Sequence, residues 1–206
     1  MVETERPQPY LITPPEFDLT RFPGELARVL DGVDVACVRL SLSTRNANLI
    51  ARSADALREI CHARDIALVI ESHIRMVACL GLDGVHLTHG GRNLRRLRKD
   101  MGQEAIIGVF CGTSRHDGIS AGEAGIDYVA FGPAGQTPLG DDARAGPELF
   151  AWWSEMIEMP VVAEGALTLE TIRALAPVSD FFGIGEEIWS KDDPLAALRE
   201  MTTAMV

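Results

Sequence analysis

The sequence has little that would fit it to an oxidising compartment or a membrane. Only four of its 206 residues are cysteine, and Cys37, Cys61, Cys79 and Cys111 form no CxxC pair. That argues against a disulfide framework or a zinc-ribbon spacing. Cys37, Cys61 and Cys79 sit inside apolar patterns (VACVRL, REICHA, MVACLGL) and read as reduced, buried thiols. Cys111 differs: it follows the run IIGVF, where a strand would end and a loop begin. No apolar run approaches the ~18 residues of a membrane span. The start, MVETERPQPY, lacks the apolar region of a secretory signal, so a cytoplasmic location is expected. Positive charge is also scarce, with 19 basic residues against 30 acidic ones and a net charge of −11. A general attraction to nucleic acid or an anionic membrane is disfavoured. There is no linker, no low-complexity segment and no sign of a second domain, so residues 1–206 read as one unit.

What the chain does have is ample apolar material, 47% of its residues, arranged in short recurring runs. The runs are Tyr10–Ile12, Ala36–Leu40, Ala67–Ile70, Gly84–Leu87, Ile106–Phe110, Tyr128–Phe131, Pro160–Ala163 and Phe181–Ile184. Short, continuous, Val- and Ile-rich runs suit buried parallel strands. Helical patterns lie between them. Ile50, Ala54, Leu57 and Cys61 fall on one helical face. Pro23 suits a first helical position, and Gly32 suits a stop just past the helix end. Leu149, Trp152, Trp153, Met156 and Ile157 form another stripe, opened by Pro147. Thr168 and Asp193 are capping residues, the latter followed by Pro194. Ser114–Ala124 is the weakest helix, since it carries Gly118 and Gly122. Eight strand–helix alternations are the pattern of a single (β/α)8 TIM barrel, an α/β fold. A doubly wound open sheet is the structural rival.

Several phrases resemble the thiamine phosphate synthase / TenI group of barrels. They are LGLDGVHL (Leu80–Leu87), IIGVF (Ile106–Phe110), AGEAGIDYVAFGP (Ala121–Pro133) with Thr137-Pro138, and PVVAEGAL (Pro160–Leu167). The likeness runs from PYLITP to PLAALREM. For intact members it implies a transferase of thiamine biosynthesis, which joins hydroxymethylpyrimidine pyrophosphate to thiazole phosphate and releases pyrophosphate with Mg2+. The physics of that reaction requires cations around the leaving group and a dry slot for the developing pyrimidine cation.

The chain departs from the group where that work is done. The strand-2 ending Gln-x-Arg-x-Lys becomes Arg39, Ser41 and Ser43, which alternation places on one inward face. Asn-Asp-Arg after strand 3 becomes Glu71, Ser72 and His73, so the implied magnesium carboxylate is a serine. The second such carboxylate is Gly91. Ser-Thr-His after strand 5 is Phe110, Cys111 and Gly112. The loop Thr-Pro-Thr-Lys keeps Thr137 and Pro138 but loses its lysine at Gly140. The phosphate loops carry Glu164-Gly165-Ala166-Leu167 and Gly185-Glu186-Glu187-Ile188. Carboxylates at about 4–6 Å from a phosphate oppose it by roughly 1–4 kcal/mol per pair. Weak or absent synthase activity is therefore expected, with Mg2+ needed only if the activity survives. The tautomerase branch of the group is affected too, because Pro133 stands where its proton-shuttling histidine would fall.

Two sets of candidates follow. Arg39, Glu71, His73, His89 and Cys111 could form a new acid/base or metal site, since imidazole, thiol and carboxylate all bind ions such as Zn2+. No metal-ligand set is assigned. Ser41, Ser43, Thr137, Glu164, Gly165, Gly185 and Glu186 would contact a small-molecule ligand. The structural readings stand beside these: His86 fills the barrel, His89 is a solvated loop residue, and Arg39 with Glu71 is a buried ion pair. The run from Gly91 to Lys99 reads as a solvated face of Arg95, Arg96, Arg98 and Lys99 or a subunit contact, with Leu94 and Leu97 inward. Arg92, at the start of that helix, lies near the mouth. The run has no interleaved aromatics to suggest nucleic-acid binding. That helix and the adjacent Trp152 and Trp153 supply the motive for a homo-oligomer. A non-catalytic ligand-binding or regulatory barrel is the alternative from a different class.

Overall fold

The computed structural model describes residues 6–90, 93–136 and 144–206. Eight parallel strands close into a barrel in sequence order, β1 to β8, with β1 paired to β8. They are β1 (Gln8–Ile12), β2 (Cys37–Leu40), β3 (Ala67–Glu71), β4 (Gly84–Leu87), β5 (Ile106–Phe110), β6 (Tyr128–Phe131), β7 (Val161–Glu164) and β8 (Phe181–Ile184). Each run expected to be a strand is one. The closed order excludes the open sheet.

The helices are α1 (Phe22–Gly32), α2 (Ala47–His62), α3 (Met76–Leu80), α4 (Leu94–Met101), α5 (Arg115–Glu123), α6 (Pro147–Met156), α7 (Leu169–Leu175), α8 (Glu186–Trp189) and α9 (Pro194–Thr203). None is long and apolar enough to cross a membrane. Ile50, Ala54, Leu57 and Cys61 bury the inner face of α2. The Thr168 side chain caps α7 by accepting the Thr171 amide, and Asp193 caps α9 through Ala196. α5 tolerates Gly118 for a packing reason: a Cβ there would lie 2.6 Å from Trp153.

Four expectations are corrected by packing. Gly32 closes α1 from inside the helix, where a Cβ would lie 2.5 Å from Leu195 of α9. Cys79 is exposed, while Cys111 is buried. Arg98 is not on the solvated face: it is buried, and it donates to the carbonyls of Gly125, Gly102 and Ala105 and to Asp127. Met156 leaves the apolar stripe of α6 and is 62% exposed, because the helix ends there. Trp153 is core, and Trp152 is half-buried beneath the Arg115 guanidinium, 4.6 Å from its ring centre.

The core has two shells. The larger lies between sheet and helices. The smaller fills the barrel with Tyr10, Cys37, Val69, Tyr128, Ala130 and Val162. Gly108 is the space-maker: a Cβ there would lie 1.9 Å from the Tyr128 ring. That ring therefore crosses the barrel, and its hydroxyl meets Tyr10 at 2.7 Å and His86 Nδ1 at 3.0 Å. His86 fills the barrel as read, stacked on Tyr128. Burial, and then the Arg39 charge, hold the imidazole well below its ordinary value. The polar chain is satisfied internally, as buried polar groups require.

Candidate active site

The C-terminal ends of β1, β2, β7 and β8 surround a cavity of about 760 Å3. Arg39 forms its floor. β2 aims this side chain inward, where it is 5% exposed, and its Nη1 lies 3.0 Å from Glu164 Oε2 on β7. Its Nε lies 3.7 Å from Glu71 Oε2 on β3. Burial opposes the guanidinium charge, but the Glu164 carboxylate more than restores it, so the group stays firmly protonated. Gly183 makes room for Glu164, since a Cβ there would lie 2.8 Å from Glu164 Cβ. The ion pair itself has no aligned hydrogen bond, and among the described residues Arg39 Nε and Nη1 and Glu164 Oε2 are buried without one. Ser41 donates to Glu71 Oε2 at 3.0 Å.

Among the described residues the cavity lining carries six carboxylates, Glu16, Asp18, Glu25, Glu164, Glu186 and Glu187, against two guanidiniums, Arg21 and Arg39. Asp18 is held below its ordinary value by the side-chain and backbone donors of Thr20. One wall is aromatic. Phe22 lies between Phe17 and Trp189, with ring centres 4.4 Å and 5.0 Å away. Trp189 is fixed by its Nε1 donating to the Ile12 carbonyl at 2.7 Å. Neither this wall nor Arg21 was expected from the sequence: Phe17 and Arg21 come from the loop after β1, Phe22 opens α1, and Trp189 ends α8.

The last two βα loops hold the clearest surprise. Glu187 Oε2 accepts the Gly185 amide at 2.9 Å, and Oε1 accepts the Leu167 amide at 3.1 Å. Gly165, at φ +87°, packs where a Cβ would lie 3.1 Å from Pro133. Glu186 is exposed at the rim.

The candidates thus separate. Arg39, Ser41, Glu71 and Glu164 converge, and Gly165, Gly185 and Glu186 line the same mouth. Ser43 does not share the inward face: β2 ends at Leu40, so alternation stops, and the exposed hydroxyl bonds Pro15 and Glu16. His73 turns its Nδ1 to the Glu71 carbonyl at 2.7 Å. His89 is exposed beside Thr88 Oγ1 at 3.1 Å. Cys111 is 5% exposed in the outer core, and burial pushes its thiol up to about 12. A thiol so placed is not a thiolate near neutral pH. Thr137, Pro138, Gly140, Gly91 and Arg92 lie outside the described residues. At the position implied for magnesium, Ser72 offers a hydroxyl 3.5 Å from Thr88 Oγ1. Among the described residues no cluster of three His, Cys, Asp or Glu could hold a metal. Hydroxyls without carboxylates do not suit Mg2+.

Comparison with known proteins places this barrel. A family profile described as thiamine monophosphate synthase matches residues 9–179. A thiamine-phosphate synthase of Rhodospirillum centenum is 40% identical, over 95% of this chain and 96% of its own. One of Erythrobacter litoralis is 38% identical, over 95% of each. The fold matches a thiamine phosphate pyrophosphorylase from Pyrococcus furiosus with a TM-score of 0.82 at 20% identity, covering 96% of this chain and 95% of that one. With the profile spanning most of the barrel and relatives aligned nearly end to end, the chain belongs to the thiamine monophosphate synthase family.

Proposed function

We propose that this member serves thiamine biosynthesis by holding a small molecule at its C-terminal mouth, with pyrophosphate-releasing coupling lost or greatly slowed. The observation that carries the reading is the commitment of Arg39. Among the described residues it is the buried cation of the cavity, and it faces Glu164 at 3.0 Å and Glu71 at 3.7 Å rather than open space. A leaving pyrophosphate needs preorganised positive groups. Among the described residues the lining carries three times as many carboxylates as guanidiniums. The hydroxyl at Ser72 supports the same reading, since it offers Mg2+ no carboxylate. Under this reading Arg39, Ser41, Glu71, Glu164, Gly165, Gly185 and Glu186 shape the ligand site, while His73, His89 and Cys111 have no chemical role. A membrane or nucleic-acid partner is not part of it.

Retained coupling is the second reading, favoured by the name carried by the relatives at 38–40% identity. It would draw on Arg39, Thr137, Gly165, the backbone near Gly185 and added Mg2+. One assay separates the two. The chain is supplied with hydroxymethylpyrimidine pyrophosphate, thiazole phosphate and Mg2+ beside the Rhodospirillum centenum relative, and pyrophosphate release is followed. The first reading expects turnover at least about 100-fold slower, the loss typical of one missing electrostatic donor. Equal turnover establishes the second.

A further inference from the structure

Glu187 stands on α8 and reaches back across both of the last βα loops. Its two oxygens accept the Gly185 and Leu167 amides at 2.9 Å and 3.1 Å. Backbone amides of these loops are what a (β/α)8 barrel offers to a phosphate group. In this chain they are already bonded to an anion that is covalently tethered. We propose that Glu187 is a specificity-determining residue, an internal carboxylate standing where a phosphate ester would bind, so that this end of the mouth selects ligands without one. The inference deepens the proposed function and rests on its premise that a small molecule enters this mouth.

Two further features point the same way. A phosphate arriving here would first have to displace a carboxylate that cannot diffuse away. It would then lie beside Glu164 and Glu186, which line the same cavity. Arg39 does not offset them, because Glu164 already engages it at 3.0 Å. The ligand class that fits is neutral or cationic at this end and presents N–H donors to carboxylates rather than phosphoryl oxygens to amides. The aromatic wall of Phe17, Phe22 and Trp189 suits a flat ring above that point.

The test titrates inorganic phosphate into the full chain and into Glu187→Ala, at an ionic strength held constant with chloride. The Gly185 and Leu167 amide resonances are followed by NMR. In the wild-type chain neither amide is expected to move. In Glu187→Ala both are expected to shift saturably, with phosphate bound at least about tenfold more tightly. Glu187→Gln serves if the alanine variant does not fold. It keeps one acceptor oxygen and loses the charge, so one amide should be freed and respond. Wild-type binding as tight as that of the variants would overturn the inference, as would variants that gain nothing. Phosphate titration reads two amides and pyrophosphate release reads turnover, so each idea can fail while the other stands.

Discussion

Replacing Arg39 by leucine should expose how the mouth is built. The side chain is 5% exposed and Glu164 is 13% exposed, so the variant leaves a mostly buried carboxylate without its counterion. Breaking a buried pair from one side costs about 3–5 kcal/mol. In a domain of this size each kcal/mol moves Tm by about 2–4 °C, so a fall of roughly 6–20 °C is expected. Glu71 suffers less, because it is 26% exposed and keeps the Ser41 hydroxyl. The paired variant Arg39→Leu with Glu164→Leu removes both charges. Since the native pair has no aligned hydrogen bond, its attraction repays desolvation poorly. The double variant should therefore lie within about 1 kcal/mol of wild type, or above it. Urea unfolding of the four proteins completes a double-mutant cycle. If Arg39→Leu costs less than about 0.5 kcal/mol, as a surface change would, or if the two single losses simply add, the guanidinium is not held as described.

Two further outcomes can be measured. An aromatic disulfide reagent should label one thiol quickly in the native chain. That thiol is exposed Cys79; Cys37, Cys61 and Cys111 are pushed up to about 12 by burial and should react only on unfolding. Cys79→Ser should abolish the fast phase, and a fast phase that survives it would show that another thiol is accessible. Unfolding free energy should also fall with acid because of His86, which is held neutral in the fold by burial and then by Arg39. The unfolded chain takes up a proton below about pH 6.5 and the folded chain does not. The contribution is thus fully present above that value and is lost as pH falls below it, by at most about 1.4 kcal/mol per unit. His86→Gln should flatten the slope between about pH 5 and 6.5, and an unchanged slope would contradict the assignment.

The barrel was legible because each strand is a short apolar run, and a run of that kind needs no knowledge of its neighbours. Caps were legible for the same local reason: Thr168 and Asp193 bond amides three residues on. The site was legible only by side. Alternation aimed Arg39 inward, but Glu164 sits on β7, which is not a neighbour of β2, so their meeting depends on closure of the barrel. Ser43 failed because alternation was carried past the end of the strand. The Tyr10–Tyr128–His86 chain was missed because it depends on Gly108, whose missing side chain admits a ring from the next strand. Arg98 and Cys111 were misplaced because burial near a strand or helix end is decided by the loops that cover it. Glu187 read as one more repulsive charge at a phosphate loop. Its reach back to two amides could have been suspected from its place two residues after Gly185, since a carboxylate there can bond an earlier N–H.

Pyrophosphate binding tests the electrostatics of the mouth without any chemistry. Calorimetric titration of pyrophosphate with Mg2+ into the wild-type chain should give no saturable binding tighter than about 1 mM, equivalent to roughly −4 kcal/mol. A micromolar dissociation constant that is abolished by Arg39→Leu would contradict the account, because it would mean that the guanidinium leaves Glu164 to hold the anion.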